Sequence, residues 1–494
     1  MRSKGTKDFI IEELEIIDAG AEGKAVGKWE GFTVFVPFAI PGDIVNVRVY
    51  KKKKKYAESN LLKIVKPSPD RVVAPCRHFG LCGGCKWQTM RYAKQLFYKQ
   101  KQVEDNFARI GNFPFPPLMP ILPSENEFYY RNKLEFTFTW RRWLDDKDME
   151  QQNHSAIETR GVGFHIPGKF DKVLDIEYCY LQKDPSNAIR LSIKEYAMSH
   201  NLSFYNVREH EGLLRNVIIR TSSIQDLMVI MVFGQESEQI TPLMEYLAER
   251  FPNISSLQFV INPKLNDTIT NLDISLFKGK PFIMEQMEDL QFKIGATSFY
   301  QTNSQQAYTL YKVVRDFAQI TTNDIVYDLY TGTGTIANFV ARSAKKTVGI
   351  EYVDAAIQDA KENSRLNHID NTFFFAGDIA KVFTAEFVKQ NGSPSIVITD
   401  PPRAGMHTKV IDQLIEILPQ RIVYVSCNPA TQARDITLLT NHYEVKKVQP
   451  VDMFPHTQHV ENVTLLERKS FQSSIIFQQL VNDSIDVLID RSAI

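Results

Sequence analysis

From about residue 291 onward, short apolar runs alternate with stretches of helical periodicity. Five of the runs are rich in β-branched and aromatic residues, and in chain order they are DIVYDLY, TVGIE, TFFFAGD, SIVITD and RIVYVSC. Alternating strands and helices predict a parallel, doubly wound sheet with helices on both faces. Ligands of such sheets bind beyond the carboxyl ends of the strands. We therefore assign residues 291–470 to one α/β domain with a site at that edge.

The N-terminal residues follow a different pattern, with shorter apolar runs separated by glycine, proline and lysine. The run that begins at Phe32 is followed by a turn at Pro41–Asp43, a second run, a basic turn and a third run. Several short strands in so short a segment predict a small β-barrel of the five-stranded OB type over residues 1–67. Barrels of this type often bind nucleic acid.

The middle of the chain, residues 68–290, combines several patterns. A helix is predicted over 92–110, and a proline-rich linker follows at 111–123. Residues 129–290 carry alternating segments that predict an α+β domain, a mixed sheet with one or two helices. The last segment, 471–494, has an apolar pattern and no recognisable chemistry, so we treat it as a C-terminal tail. The chain is therefore predicted to be a multidomain α/β protein.

Composition agrees with a folded protein of several domains. The 494 residues are 43% hydrophobic and 23% charged, close to the averages of globular proteins. The longest apolar run, Leu227–Gly234, is too short to cross a membrane, which takes roughly 20 apolar residues. No apolar stretch follows the charged residues at the N-terminus, so no secretory signal is expected. We expect a cytoplasmic protein with no membrane partner and no obligate protein partner.

Charge is distributed unevenly along the chain. The sequence has 58 Lys and Arg against 58 Asp and Glu, but residues 51–100 have 13 of the former and 2 of the latter, which leaves +11 in this block and −11 elsewhere. A basic block with aromatic residues between its charges is typical of a surface that binds a polyanion. A solvated linker is the alternative, but the interleaved Tyr and Trp favour nucleic acid.

The five cysteines fall into a cluster and two single positions. The cluster CRHFGLCGGC contains Cys76, Cys82 and Cys85. In a cytosolic protein this spacing indicates metal ligation rather than disulfide bonds. Cys179 could supply a fourth ligand, which leaves Cys427 as the one thiol without such a role. Four thiolates suit zinc as well as an iron–sulfur cluster, and visible absorbance would separate the two.

A glycine-rich loop follows the first strand of the C-terminal domain. In TGTGTIA, Gly332, Gly334 and Ala337 have the spacing G-x-G-x-x-A, which lets the backbone turn sharply at the start of a helix. Glu351 ends the next strand, where its carboxylate can accept hydrogen bonds from two ribose hydroxyls. This combination fits a dinucleotide as well as S-adenosylmethionine. A plain strand-to-helix turn is the alternative without a ligand.

The next two strand ends favour S-adenosylmethionine. Asp378 in AGD lies where an adenine or ribose edge would bind, and TDPPRAG puts Asp400 at the end of the fourth strand. Pro401 and Pro402 stiffen this turn. Enzymes that methylate exocyclic amines have an aromatic residue after a related Asp-Pro-Pro sequence, where it stacks a flipped base, whereas this chain has Arg403. A ring carbon is therefore favoured over an exocyclic amine as the methyl acceptor.

Seven stretches form a set of motifs in a fixed order: CRHFGLCGGCKWQ, YYRNKLEFT, SFYQTN, DLYTGTG, TDPPRAG, YVSCNP and HVENVTLL. In this order they resemble the bacterial RNA uracil-5 methyltransferases of the RumA/TrmA type. With the N-terminal barrel they extend from residue 8 to about 470. The barrel is similar to the TRAM domain of the members that make 5-methyluridine in 23S ribosomal RNA. One departure is Thr331, because many relatives have a non-catalytic cysteine there, in DLYCGxG.

The resemblance implies a Rossmann-like C-terminal domain that transfers a methyl group from S-adenosylmethionine to carbon 5 of a uridine in RNA. Cys427 falls on the family's nucleophile and Glu461 on its base. The positions that contact cofactor or uracil in the family match Gln301, Tyr330, Glu351, Asp378 and Asp400. The ligands of the family's 4Fe–4S cluster match Cys76, Cys82, Cys85 and Cys179.

The implied chemistry needs a thiol and a base on the same side of the sheet. Carbon 5 of uracil is barely nucleophilic until a thiolate adds to carbon 6, and the proton on carbon 5 must then be removed before the thiolate can leave. Cys427 and Glu461 could meet this demand. Without the resemblance, a lone cysteine after a strand is usually a buried apolar residue, although Ser426 and Asn428 here indicate an exposed loop. For Glu461 the alternative is a solvated loop acid.

Three alternative functions stay open. Uracil-5 methylation of transfer RNA differs only in the substrate, and the barrel and the cysteine cluster favour ribosomal RNA. A dinucleotide-dependent oxidoreductase would share the glycine loop, but it has no need of the DPPR and SCNP loops. An RNA-binding assembly factor without turnover would keep the fold, but the intact set of Cys427, Glu461 and Asp400 argues against it.

Overall fold

The structure, a computed structural model, describes residues 8–144, 148 and 157–470. It divides into two compact units that are each assembled from separate segments of the chain. The first unit comprises the residues up to Lys99, Pro123–Thr309 and Asp452–His459, and the second comprises Gln100–Leu122, Leu310–Val451 and the residues from Val460. The predicted tail, 471–494, lies outside the described residues. In the part of the chain that is described, no helix combines the length and apolar character needed to cross a bilayer.

The N-terminal strands form a closed five-stranded barrel in the order β1-β2-β3-β5-β4. The strands are β1 (Phe9–Ala19), β2 (Ala25–Trp29), β3 (Phe32–Val36), β4 (Ile44–Lys52) and β5 (Tyr56–Lys66). Neighbouring strands are antiparallel except β3 and β5. Alternation along the strands turns Val34, Val45 and Val47 into the interior, where they are fully buried. The barrel predicted for this part of the chain is confirmed.

Helix α1 (Tyr92–Asn106) follows the cysteine cluster in the chain and continues into a π-helical turn, Phe107–Gly111. The sequence predicts one helix over 92–110, and the structure confirms it to within one residue at its end. The last turn of this helix is π-helical rather than α-helical, and Asn112, in the left-handed region, ends it.

The remainder of the first unit is built on a mixed seven-stranded sheet in the order β12-β11-β10-β9-β6-β7-β8. Its strands are β6 (Lys133–Thr139), β7 (Gly161–Ile166), β8 (Lys169–Asp175), β9 (Leu214–Thr221), β10 (Leu227–Phe233), β11 (Ser256–Ile261) and β12 (Ile274–Gly279). Helices α2 (Ser186–Ser199) and α3 (Ile240–Arg250) pack on it through residues such as Ile193 and Leu247. Strand β10 is buried along its whole length, which explains its unbroken apolar sequence. A hairpin of β13 (Phe282–Met287) and β14 (Leu290–Gly295) follows.

The second unit contains another seven-stranded sheet, in the order β17-β16-β15-β18-β19-β21-β20. Five neighbouring strands are parallel, namely β15 (Ile325–Leu329), β16 (Lys346–Glu351), β17 (Thr372–Ala376), β18 (Ile396–Thr399) and β19 (Arg421–Ser426). Strand β21 (Glu461–Arg468) is antiparallel to both of its neighbours, β19 and β20 (Tyr443–Val451). The helices along this part of the chain are α4 (Ser304–Ala318), α5 (Thr335–Ala341), α6 (Asp354–Leu366), α7 (Ile379–Val382), α8 (Ala385–Asn391), α9 (Thr408–Ile417) and α10 (Pro429–Leu439). The doubly wound domain predicted from the alternating runs is confirmed.

Candidate active site

Five candidate site residues lie at the carboxyl edge of the sheet in the second unit. Tyr330 follows β15, Glu351 ends β16, Asp378 comes two residues after β17, Asp400 follows β18 and Cys427 follows β19. Because these strands are parallel neighbours, their carboxyl ends meet along one edge. The structure thus brings the five residues to one edge, as the sequence pattern predicts.

The glycine loop between β15 and α5 has a left-handed backbone at Tyr330 (φ 65°), Gly332 (φ 54°) and Gly334 (φ 73°). A Cβ at Gly334 would lie 2.8 Å from the Cβ of Ala360, so the loop packs closely against α6 there. A Cβ at Gly332 would meet nothing within 4 Å, which leaves open space at this position. Left-handed backbone is unfavourable for tyrosine and is typical of functional sites.

The side chain of Glu351 is hydrogen-bonded to the glycine loop. One carboxylate oxygen accepts a hydrogen bond from the Gly332 amide at 3.2 Å, and the other accepts one from the Val353 amide at 3.0 Å. A carboxylate can accept about four hydrogen bonds, so it has capacity left for the hydroxyls of a ligand. The half-buried Glu351 can therefore fix the loop and bind a ribose at the same time.

A cavity of about 440 Å³ opens at this edge of the sheet. Its walls include Tyr330, Tyr352, Asp378, Ile379, Pro402 and His407. Asp378 is the N-cap of α7 and accepts a hydrogen bond of 3.1 Å from the Ala380 amide. The lining combines aromatic and apolar groups with the Asp378 carboxylate and with Lys381 and Lys409, a mixture that suits a ligand with both a heterocycle and polar groups.

A buried acid, Asp328, supports the glycine loop from within β15. It is 1% exposed, and one of its oxygens accepts a hydrogen bond of 2.5 Å from the hydroxyl of Thr331. Burial raises the pKa of Asp328 to about 7, and the bond from Thr331 opposes this rise. Thr331 is the position where this chain departs from the family's cysteine, so the departure gives Asp328 a hydroxyl donor. The sequence analysis did not single out Asp328.

Cys427 lies between the end of β19 and the start of α10. The side chain of Asn428 caps this helix by accepting a hydrogen bond of 3.2 Å from the Ala430 amide. Ser426 and Asn428 form two hydrogen bonds of 3.1 Å with each other across the cysteine. The half-buried Cys427 thus lies in a fixed turn directly before an 11-residue helix.

The loop 400–406 is held against α10 by polar side chains of that helix. Asn428 and Thr431 both donate to the carbonyl oxygen of Arg403, at 3.0 and 3.2 Å. Asp435 accepts a hydrogen bond of 2.7 Å from the last amide of the loop. The sequence analysis missed Thr431 and Asp435. Their one signal is the spacing of polar residues 428, 431 and 435, which is that of one helix face.

Glu461 begins β21, which pairs with β19 in antiparallel orientation. The register pairs Ser426 with Asn462, so the next step along the two strands brings Cys427 opposite Glu461. The side chain is buried, with 5% of its surface exposed. The alternative expectation of a solvated loop acid is therefore wrong.

Charges around Cys427 act on its thiol in opposite directions. Burial, together with the nearby carboxylates of Glu461 and Asp400, raises the pKa of the thiol to about 11, whereas the guanidinium of Arg403 lowers it. Burial, with a smaller effect of Asp400, raises the pKa of Glu461 to about 8, and Arg403 again opposes the rise. Burial also raises the pKa of Asp400 to about 7. Arg403 is thus the cation that favours ionisation of both Cys427 and Glu461.

Gln301, the remaining candidate contact of the cofactor or uracil, belongs to the first unit. Its main-chain carbonyl accepts a hydrogen bond of 2.9 Å from the side-chain amide of Asn132, which also donates to the hydroxyl of Ser304 at 2.8 Å. Asn132 lies in YYRNKLEFT and Gln301 in SFYQTN. Two motifs that are far apart in the sequence are therefore joined in the fold.

The four clustered cysteines line one cavity of about 180 Å³ in the first unit, which we call the cysteine cavity. Cys85 and Cys179 are buried, Cys76 and Cys82 are half-buried, and all four are free thiols. The rest of the wall is largely apolar and includes Phe79, Leu134, Phe164 and Ile176. Burial raises the pKa of all four thiols, to about 12 for Cys85 and about 11 for Cys82. The structure thus brings Cys179 to the other three.

Helix α2 holds the segment that carries Cys179. Asn187 accepts a hydrogen bond of 2.8 Å from the Cys179 amide and donates one of 3.1 Å to its carbonyl. The fully buried Arg190 donates to the carbonyls of Ile176 and Glu177. Within residues 8–144, 148 and 157–470, no three or more His, Cys, Asp or Glu side chains form a group that could hold a metal ion.

Known proteins resemble the chain over most of its length. Residues 9–62 match the family model of the TRAM domain, and residues 283–469 match that of the tRNA (uracil-5-)-methyltransferases. An uncharacterized RNA methyltransferase of Bacteroides thetaiotaomicron is 55% identical over 451 residues, which cover 90% of this chain and 99% of the relative. Another, of Porphyromonas gingivalis, is 52% identical over 464 residues, covering 92% and 100%.

A solved structure agrees with these relatives. The tRNA (uracil-54, C5)-methyltransferase of Pyrococcus abyssi, in complex with S-adenosyl-L-homocysteine, has a TM-score of 0.71 and 28% identity, and the match covers 93% of this chain and 100% of that one. Fold, motifs and relatives lead to the same family. The chain belongs to the RNA uracil-5 methyltransferases, and it is an S-adenosylmethionine-dependent enzyme with an N-terminal TRAM domain.

Proposed function

We propose that this enzyme methylates carbon 5 of one uridine through a covalent intermediate on Cys427, and that its substrate is 23S ribosomal RNA. The observation that carries the proposal is the register of β19 and β21, which sets Cys427 opposite Glu461, with Arg403 acting on both. A nucleophile and a base that act on adjacent carbons of one ring must reach that ring together.

In the proposed reaction, the thiolate of Cys427 adds to carbon 6 of uracil, and the electron pair of the C5–C6 double bond moves toward carbon 5 and the neighbouring carbonyl. S-adenosylmethionine, when bound, would supply the electrophilic methyl group for carbon 5, with its sulfur keeping the electron pair of the broken S–CH3 bond to leave S-adenosylhomocysteine. Glu461, as a carboxylate, then accepts the proton from carbon 5. The freed electron pair restores the double bond, breaks the carbon–sulfur bond and returns Cys427 as a thiolate. Because the pKa of the thiol is about 11, few molecules carry a thiolate at neutral pH, and Arg403 raises that fraction.

We assign the 440 Å³ cavity to the nucleoside part of S-adenosylmethionine. Glu351 would accept hydrogen bonds from the ribose hydroxyls, and Asp378 would bind the adenine or ribose edge. Tyr330 lies in the cavity wall with its strained backbone fixed by the loop. Gln301 and Asp400 are proposed as further contacts of the cofactor or the uracil.

For the cysteine cavity we propose a 4Fe–4S cluster held by Cys76, Cys82, Cys85 and Cys179. Each thiolate of such a cluster binds a different iron, so four sulfurs around a cavity of about 180 Å³ fit it. Zinc, the alternative, needs all four sulfurs about 2.3 Å from one ion. Purification without air should give brown protein with about four irons. Stoichiometric zinc without iron would exclude the cluster.

We further propose that RNA binding is shared by the barrel over residues 1–67 and the central domain over 68–290, with catalysis in 291–470 and a tail at 471–494. The barrel and the cysteine cluster support ribosomal RNA as the substrate. Transfer RNA is the second candidate, because the similar Pyrococcus abyssi enzyme is a tRNA methyltransferase.

The substrate can be tested by mapping 5-methyluridine in ribosomal and transfer RNA from a strain that lacks the protein. Loss at a position of 23S ribosomal RNA, restored by the wild type but not by Cys427→Ala, would support the proposal. Loss in transfer RNA alone would favour the second candidate. Unchanged 5-methyluridine in both RNAs would favour an assembly factor without turnover.

A further inference from the structure

Three aromatic rings meet at one end of the N-terminal barrel, and we call them the ring cluster. Phe9 begins β1, Trp29 ends β2 and Phe32 begins β3. The ring centroids of Phe9 and Trp29 are 5.5 Å apart, and those of Trp29 and Phe32 are 5.2 Å apart. Phe32 is buried, whereas Phe9 and Trp29 are half-buried and form part of the surface. The barrel thus presents connected aromatic surface at this end.

Lys52, the last residue of β4, covers the ring cluster. Its Nζ lies 4.2 Å from the ring centroid of Phe32, 5.7 Å from that of Phe9 and 5.9 Å from that of Trp29. An ammonium at these distances interacts with the faces of aromatic rings. Because Lys52 is exposed, its long side chain can leave the rings for another anionic or polar partner.

The turn after β4 adds unpaired positive charge beside the ring cluster. Lys51 pairs with Glu58 at 2.5 Å, whereas Lys52–Lys55 form no ion pair with any residue that the structure describes. The exposed acids next to Phe9 and Trp29 in the sequence are Asp8 and Glu30, so the four lysines outnumber them. Such a surface repels a cationic partner and attracts a polyanion. A nucleic acid supplies phosphates for the lysines and flat bases for the rings.

We propose that the ring cluster binds one unpaired base of single-stranded RNA by stacking, and that Lys52 moves from the rings to a flanking phosphate. This inference rests on the RNA substrate of the proposed function and adds a contact outside the catalytic domain. Every base has an aromatic face, so the site would hold a single strand without selecting its sequence. Phe9 and Trp29 supply the surface for stacking, and Phe32 supports them from the interior.

The test compares two variants of the full-length protein on two probes. The probes are a single-stranded oligouridylate and an abasic ribose-phosphate oligomer of equal length, each measured over a range of salt concentrations. Trp29→Leu should weaken binding of the oligouridylate about tenfold, which is within the range for loss of one base–aromatic stack. It should leave the abasic oligomer and the salt slope unchanged, because a ring releases no counterion. Lys53→Met, the matched control, should reduce the slope by roughly 0.7 with both probes.

Fluorescence gives a second measurement. The chain has four tryptophans, so the signal of Trp29 is isolated by comparing the wild type with Trp29→Phe. Oligouridylate should quench this signal and the abasic oligomer should not. If Trp29→Leu lowers thermal stability, Phe9→Leu replaces it, with binding compared at a temperature where both variants are folded.

Several results would overturn the inference. Equal loss of affinity for both probes, or no loss for either, would mean that Lys52 and the rings only brace the barrel. A second contrary result would be that a trimethyllysine peptide competes with both RNA probes and that the two probes bind equally well. The rings would then be assigned to a protein partner. Covalent trapping of 5-fluorouridine RNA by the wild type tests the proposed function separately, since it depends on Cys427 and not on the ring cluster.

Discussion

Cysteine occurs in this protein in two contrasting environments. In the first unit, four thiols line the cysteine cavity among apolar side chains, and they raise one another's pKa in addition to the effect of burial. In the second unit, Cys427 lies between a strand and a helix, where burial and two carboxylates raise the pKa of its thiol and Arg403 lowers it. The residue type is the same, and the surroundings differ in polarity and charge.

The contrast shows which property of a site separates a ligand from a nucleophile. Buried thiols in apolar surroundings stay protonated until a metal displaces the protons, so they suit a bound cluster. The pKa of the Cys427 thiol is also raised, to about 11, but Arg403 opposes this rise, so that a small fraction of thiolate is available to attack carbon without a metal. Removal of a thiol should therefore have different consequences in the two environments.

The largest effect is expected for Cys427→Ala. Methyl transfer should be abolished and no covalent adduct with 5-fluorouridine RNA should form, because no other cysteine lies opposite Glu461 in the described sheet. Iron content should equal that of the wild type. Activity is measured by methyl incorporation and the adduct by denaturing gel. An adduct in this variant would mean that the nucleophile is another residue.

Cys85→Ser should give the reverse result. The cysteine cavity would lose one of its two buried thiols, and we expect loss of iron and of visible absorbance under anaerobic conditions. S-adenosylhomocysteine binding, measured by calorimetry, should persist because its proposed site lies in the second unit. Full retention of iron would contradict the proposed ligand set.

Glu461→Gln should separate addition from release. Attack on carbon 6 and methyl transfer do not require the carboxylate, but loss of a general base typically slows its step about 10²–10⁴-fold. A covalent protein–RNA adduct should therefore accumulate with unmodified substrate RNA. Normal turnover by this variant would assign proton removal to another group.

Arg403→Met should move the pH profile. In the wild type, activity should rise with pH as Glu461, whose pKa is about 8, becomes a carboxylate. Without Arg403 the pKa of Cys427 and that of Glu461 both rise, so both deprotonated forms become scarcer at neutral pH. We expect a rate roughly tenfold lower at neutral pH and recovery at higher pH, with Arg403→Lys in between. A lower rate with an unmoved profile would indicate a purely structural role.

Glu351→Ala should have the smallest of these effects. S-adenosylhomocysteine should bind about fivefold more weakly, since the ribose loses an acceptor and the glycine loop loses the bond to its amide. Asp412→Ala, which removes an exposed acid from α9, serves as the control. Equal affinity of the two variants would exclude Glu351 from the cofactor site.

Much of the fold was predictable because the hydrophobic patterns in the sequence coincide with buried strands and helix faces. Strands covered on both faces, such as β15 and β19, appear in the sequence as predominantly apolar runs between helices. The edge that collects Tyr330, Asp400 and Cys427 follows from parallel strand direction alone. The division into two units could not be predicted, because each is assembled from segments that are distant in the sequence.

The candidate site was predictable only in part. The burial of Glu461 depends on the pairing of β21 with β19, a non-local contact that leaves no periodic signal in the sequence before the strand. Asp328 and Asp435 support loops through side-chain hydrogen bonds, and such partners cannot be inferred from spacing when the loop comes from another segment. The family resemblance predicted the role of Glu461 as a base, whereas the local sequence pattern alone predicted a solvated loop acid.

Strand β21 is synthesised last among the described strands, yet it lies between β19 and β20. During translation, the edge of β19 that pairs with β21 therefore lacks its native partner until residues 461–468 have emerged from the ribosome. The residue that begins this strand is Glu461, opposite Cys427. The pairing of β21 consequently completes the sheet and places the proposed base at the same time. A nascent chain that stops before residue 461 contains Cys427 but not Glu461.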